Sequence, residues 1–149
     1  MSIRPAILGD IANLASLVER YWEFESIGGF HRPRVLALLT DLLSQPERGA
    51  CWVAESGGAL CGYLLAVFVF SLEHGGTMAE VDEVFVSAEM RSTGVGSRLL
   101  AKAEGDLAAR GLTRLQLQLG VDNHRGRAFY ERHGFHRRAG YELLDKPLP

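Results

Sequence analysis

The sequence predicts one α/β domain, a mixed and mostly antiparallel sheet with four helices. Three observations carry that expectation. Strand-like apolar runs flank Ser56-Gly57-Gly58, as in a hairpin. A period-two strand through Val81–Val86 is followed by a helical stretch and then by the alternating run Leu115–Leu119, a strand–helix–strand unit that demands a right-handed crossover and parallel pairing. No linker, repeat or low-complexity segment interrupts the 149 residues. A single domain, 1–149, of that length buries about two-thirds of its surface.

Taken in order, Ile3–Ile7 reads as a short strand ending at Gly9-Asp10, with Asp10 placed to cap the next helix. Ile11, Leu14, Leu17, Val18 and Tyr21 keep helical spacing. That helix ends in an aromatic and acidic patch, Tyr21-Trp22-Glu23-Phe24-Glu25-Ser26, before the breaker Ile27-Gly28-Gly29. Pro33 suits the first turn of a second helix whose apolar face is Val35, Leu38, Leu39 and Leu42. Cys51–Ala54 and Leu60–Phe70 form the hairpin, and the loop His74–Thr77 leads antiparallel into the strand from Glu80 to Ser87. Val95–Arg110 is the third helix, with Gly111 as its C-terminal cap. Asp122 or Asn123 caps a fourth helix that Gly134 stops, and Phe135 onward reads as one or two short strands.

Composition narrows the function classes. A net charge of −2 makes no case for nucleic acid through bulk electrostatics. Two cysteines, Cys51 and Cys61, make neither a close metal pair nor a disulfide framework and read as reduced core residues. No metal site is expected. Met1–Pro5 lacks the apolar run of a signal peptide, and the longest apolar stretch, Tyr63–Phe70, is too short to span a bilayer. The expected setting is the cytoplasm, without a membrane partner.

The chemistry centres on Arg91-Ser92-Thr93-Gly94-Val95-Gly96-Ser97, between a strand and a helix. Glycine at 94 and 96 permits a sharp turn and a ligand's close approach. The amides and the positive dipole end of the new helix suit an anion. Alone, the pair is equally a tight turn with no ligand. A Walker loop requires a Lys after the second glycine, and a dinucleotide fingerprint requires a third glycine where Leu99 stands.

Arg91-x-x-Gly94-x-Gly96 after Asp82-Glu83-Val84-Phe85-Val86 resembles the acyl-CoA-binding motif of the GNAT family of N-acetyltransferases, whose pattern is Gln/Arg-x-x-Gly-x-Gly/Ala. Asn123-His124-Arg125-Gly126-Arg127-Ala128-Phe129-Tyr130-Glu131-Arg132-His133-Gly134-Phe135 resembles the family's second motif, Asn-x-x-Ala-x-x-x-Tyr-x-x-x-Gly-Phe. The departures are Ser92, where glycine is common, and Gly126, where alanine is usual and where glycine should weaken the helix by about 1 kcal/mol.

The resemblance implies a central parallel strand pair that splays apart, and direct acetyl transfer from acetyl-CoA to a primary amine. It implies that the amides from Arg91 to Gly96 hold the pyrophosphate and that the strand at Val84, Phe85 and Val86 pairs with the pantetheine arm; Ser97, just after the first motif, and Arg127, within the second, are expected to bind the cofactor as well. Asn123 corresponds to the residue that hydrogen-bonds the arm, a role compatible with capping its helix. Tyr130 matches the general acid; its ordinary value near 10 keeps it protonated at neutral pH. Without the motif, Tyr130 reads as packing.

For the base, Asp82 is the first choice, acting through water, and Glu83 the second. Strict alternation puts Glu80 and Asp82 on one face and Glu83 on the other, a phase that a bulge would disturb. The acceptor site of the family lies between the first helices and neighbouring strands, here Tyr21, Trp22, Glu23, Glu25, Phe30 and His74. Acidic and aromatic residues together favour a small cationic amine; the same patch also reads as an ordinary polar helix end. Rival readings are a different acyl chain, a protein or peptide amine, and acyl-CoA binding without transfer. A homodimer is the expected assembly.

Overall fold

Hydrogen-bonded pairing between sequence neighbours builds most of the sheet in the computed structural model, which describes all residues from Met1 to Pro149. The strands are β1 (Ser2–Pro5), β2 (Gly49–Ser56), β3 (Ala59–Ser71), β4 (Gly76–Val86) and β5 (Leu115–Leu117), and they lie in the order β1-β2-β3-β4-β5. Every pairing is antiparallel except β4 with β5, which is parallel. The helices are α1 (Ile11–Phe24), α2 (Arg32–Ser44), α3 (Val95–Ala109) and α4 (His124–Arg132). The chain divides into two compact units, Met1–Gln118 and Leu119–Pro149. No helix is long and apolar enough to cross a membrane.

In the first unit, alternation along the strands separates two layers. Cys51, Val53, Tyr63, Leu65 and Phe85 form one core with Leu14, Leu17 and Val18 of α1 and Val35 and Leu39 of α2. Leu99, Leu100 and Ala103 of α3 are buried too, and Trp52, next to Cys51 and so on the opposite face, donates its indole N–H to Asp106 of α3 at 2.8 Å. Cys51 and Cys61 are buried free thiols on neighbouring strands, and burial pushes the Cys51 thiol up to about 12.

Asp10 does not cap α1 with its side chain, contrary to expectation. Its carboxylate takes paired hydrogen bonds from the Arg4 guanidinium, at 2.8 and 3.0 Å, and one from the Ile7 amide at 2.8 Å. Arg4 holds that carboxyl below the usual range and also bonds Glu55 at 2.7 Å. A cation one strand away outbids the helix amides, and Asp10 instead closes the 3-10 turn Leu8–Asp10 against the sheet.

The register of β3 with β4 carries the feature that shapes the site. Val81 faces Ala66 and Glu83 faces Leu65, so Asp82 is an extra residue on β4, a bulge. Glu80 pairs with Val67, Glu83 with Leu65 and Phe85 with Tyr63; directly paired residues share a face. Glu80 therefore shares a face with Glu83, not the phase of strict alternation.

In the second unit, Asn123 caps α4, its side-chain oxygen accepting from the Gly126 amide at 2.9 Å. Gly134, at φ 87°, ends the helix. No strand follows Phe135. Gly140 turns the chain at φ 89°, Pro147 and Pro149 lack amide donors, and an isolated short strand has no ladder to hold it.

Candidate active site

Glu83 is held from two sides. Its Oε2 accepts from the Trp22 indole N–H at 2.9 Å, and its Oε1 accepts from the Tyr63 hydroxyl at 2.8 Å. The donors come from α1 and β3, so the carboxylate ties both elements to β4. Burial pushes the Glu83 carboxyl above its ordinary value; the two hydrogen bonds pull it back without cancelling the effect, and neighbouring Asp82 adds to the rise. Burial, then the Glu83 charge, raises the Tyr63 hydroxyl, which stays protonated as the donor. Tyr63 was not read as a site residue from the sequence. The signal was available: a tyrosine inside the apolar run Leu60–Phe70 needs a partner for its hydroxyl once buried.

Asp82, at the bulge, is exposed, and the protein around it still removes enough hydration to raise its carboxyl. Glu80 accepts from the Gln118 side chain at 3.2 Å. Three carboxylates thus stand on one strand in three states: Glu83 clamped, Asp82 open to solvent, Glu80 tied to β5's end.

Beside them the sheet opens. β5 pairs with β4 only over Ala79–Val81, and no strand continues that side of β4 along Val84, Phe85 and Val86. Phe85 is buried, its ring 5.9 Å from that of Tyr21 and 6.5 Å from that of Tyr63, whereas Val84 and Val86 are half-buried.

β4 runs into the glycine turn. Gly94 sits at φ 87° as the residue before α3, and a side chain added there would meet nothing within 4 Å. Ser92 also has positive φ, 64°, so the departure from glycine falls where glycine is easiest. The amides of Val95 and Gly96, first in α3, have no intrahelical acceptor. Thr93 returns its hydroxyl to the Met90 carbonyl, and Ser97 lies half-buried in the first turn of α3. The amides at this helix start, with open space beside Gly94, fit a pyrophosphate, and an unpaired strand edge fits an amide-bearing arm, so the residues present fit acetyl-CoA.

Arg91 serves this loop differently from a phosphate clamp. Its Nε donates to the Val86 carbonyl at 3.0 Å, and its guanidinium lies 4.3 Å over the Phe24 ring and 5.4 Å from that of Phe85. The side chain thus straps the glycine turn to the ends of β4 and α1. Phe24, otherwise 58% exposed, is a second residue that sequence reasoning passed over.

The expected acceptor residues divide. Trp22 joins Glu83 and packs edge-on against Phe30 at 5.7 Å. Tyr21 packs on Tyr63 and Phe85. Glu23 and Glu25 are exposed at the C-terminal end of α1. His74 is not brought to this group. It lies in the β3–β4 turn, 3.4 Å from Glu73, and Gly76, where β4 begins, is about 20 Å of strand from Glu83.

In the second unit, Tyr130 lies on α4 between Phe129 and Phe135, at ring distances of 5.1 and 5.5 Å, and Arg127 is on the first turn. Asn123 spends its side-chain oxygen on the cap and keeps its amide N–H groups as donors. A Cβ on Gly126 would come within 2.7 Å of that Asn123 amide. Glycine here makes room for the cap, which corrects the view of Gly126 as a simple helix weakness.

The sequence profile of the acetyltransferase (GNAT) family matches residues 14–135. YhfO of Bacillus subtilis, an uncharacterized N-acetyltransferase, is 27% identical over 141 residues, covering 95% of this chain and 93% of its own. Thialysine N-epsilon-acetyltransferase of Bos taurus is 26% identical over 137 residues, covering 87% of this chain and 80% of its own. A predicted acetyltransferase of Clostridium acetobutylicum, solved with acetyl-CoA, has the same fold, with a TM-score of 0.82 at 17% identity over 97% of this chain and 95% of its own.

Proposed function

Because the chain belongs to the acetyltransferase (GNAT) family and is an acetyl-transferring enzyme, we propose that it moves an acetyl group from acetyl-CoA directly to a small, cationic primary amine. The observation that carries this reading is the clamped Glu83, on the strand that opens past Val81 and runs into the glycine turn at α3. The name of the bovine relative, thialysine N-epsilon-acetyltransferase, supports a small amine as acceptor.

Bound acetyl-CoA would supply an activated acyl group on a thioester and a thiolate to be released. The amides of Val95 and Gly96 and the turn from Arg91 would hold its pyrophosphate, and the backbone of Val84–Val86, with Asn123, would hold its arm. Glu83, acting through water, takes the proton that an ammonium must lose before it can attack. A carboxylate raised by burial suits that work better than an ordinary one, because its proton affinity moves toward neutral pH. This exchanges the order expected from the sequence: Glu83 comes first and Asp82, exposed at the bulge, second. Tyr130 gives its hydroxyl proton to the departing sulfur.

Glu23 and Glu25 draw the cation. They stand at the C-terminal end of α1, whose last turn has no basic residue of its own, so the helix dipole adds to their negative field and Arg91 over Phe24 offsets it only in part. Replacing both by Gln should raise KM for the preferred amine about tenfold and leave kcat within a factor of about two, the pattern of lost ground-state binding. A double variant with unchanged KM contradicts the cationic acceptor. The same reading takes the chain as one domain that acts in the cytoplasm as a homodimer.

A further inference from the structure

A carboxylate on the margin of a core is costly, and a purely structural position there is better filled by an apolar residue. Glu83 is nevertheless retained on the α1-facing side of β4, and each of its oxygens is met by a single donor on a different element. Tyr63 is 0% exposed, so its hydroxyl touches neither solvent nor substrate. Its bond to Glu83 is the only side-chain hydrogen bond that this hydroxyl makes. Trp22 is fixed in turn by Phe30, edge-on at 5.7 Å.

We propose that Tyr63 and Trp22 are positioning residues, which hold the Glu83 carboxylate in one orientation and leave a lone pair on each oxygen for the water that takes the acceptor's proton. This rests on the reading of Glu83 as the base. An ionised carboxylate has about four acceptor sites, and two donors occupy two of them. A freely rotating Glu would sample orientations in which those remaining sites turn into the core. With the indole and the phenol on opposite oxygens, rotation about the last bond breaks both hydrogen bonds at once.

The arrangement also sets when Glu83 takes a proton. Both donors favour the charged form, and burial opposes them. The other titratable groups facing this site are Asp82 on β4, whose charge raises Glu83, Cys51 on β2, whose thiol burial pushes up to about 12, and Tyr21 on α1, whose ring packs edge-on against that of Tyr63 at 6.4 Å. Removing one donor should therefore raise Glu83 further, by about one pH unit for a charge-assisted hydrogen bond of about 1.5 kcal/mol.

The protein supplies its own reporter. It has two tryptophans: Trp22, bonded to Glu83, and Trp52, bonded to Asp106. Titration of Glu83 in the ligand-free protein should change Trp22 emission in a one-proton step that Glu83→Gln abolishes and Trp22→Phe removes. Tyr63→Phe, which deletes a single oxygen, should move that step up by about one pH unit. It should move the acid limb of kcat by the same amount and lower the plateau rate several-fold, because the carboxylate is then held from one side only. A merely structural Tyr63 would leave both the fluorescence step and the acid limb at their wild-type pH, whatever it did to the plateau rate. An unshifted step in a folded Tyr63→Phe protein overturns the positioning role whichever residue is the base. If Glu83→Gln keeps the acid limb, the base assignment falls, while a shifted step in Tyr63→Phe still upholds the hold on Glu83.

Discussion

Glu83 and Asp82 are adjacent carboxylates with different physics. Their separation depends on one residue's slip in the ladder between β3 and β4. Both were visible in the sequence as candidates, but their ranking was not, because alternation assumes an unbroken strand and nothing local in Val81-Asp82-Glu83 announces a bulge. Tyr63 was missed because an apolar run hides the one hydroxyl in it. The residue-scale prediction is that Glu83→Gln lowers kcat about 10²–10⁴-fold and Asp82→Asn far less. The stability of the same variant gives an independent check. Glu83 holds its proton more tightly folded than unfolded, so its contribution is present below the ordinary carboxylate value and is lost as pH rises through the raised folded one. Relative to wild type, Glu83→Gln should gain stability in denaturant titrations as pH rises from the ordinary carboxylate value through the raised folded one. A variant with full turnover returns Glu83 to a structural role.

At the scale of elements, helix periodicity was a good guide. α1, α3 and α4 begin where their sequence signals place them, α2 begins one residue before Pro33, and Gly111 and Gly134 lie just past the ends of α3 and α4 at positive φ. The signals that failed were those with distant competitors. Asp10 looked like a cap until Arg4 claimed it, and the residues after Phe135 looked like strands although a strand exists only where a ladder receives it. The glycine turn was legible as a shape, but its strapping by Arg91 to Phe24 was not, since those residues are far apart in the chain. Gly94 bears the sharpest prediction. At φ 87° a β-branched side chain is strained even with open space around its Cβ. Gly94→Val should weaken acetyl-CoA binding by about tenfold or more in calorimetry, from a strain of about 1–2 kcal/mol and from a side chain in the ligand's path. Gly94→Ala, with the same strain and less bulk, should fall between. Unchanged affinity in a folded Gly94→Val protein contradicts the cradle.

For the whole molecule, the order of the two motifs and the strand–helix–strand unit that carries the first were enough to read the fold, because each places a backbone feature and tolerates wide variation elsewhere. The acceptor was not legible to the same degree. It depends on side chains from α1, the α1–α2 loop and β4, whose meeting is a tertiary event; of the residues expected to line it, Trp22 joins Glu83 directly, while His74 lies at the far end of β4. The account stands most directly on acetyl-CoA-dependent thiol release measured across a panel of acceptors. Primary cationic amines should drive release stoichiometric with N-acetylated product, faster than neutral or anionic acceptors, at a rate that climbs with pH below the amine's own pKa. Binding of acetyl-CoA without amine-dependent thiol release, or faster turnover with neutral or anionic acceptors, would contradict it.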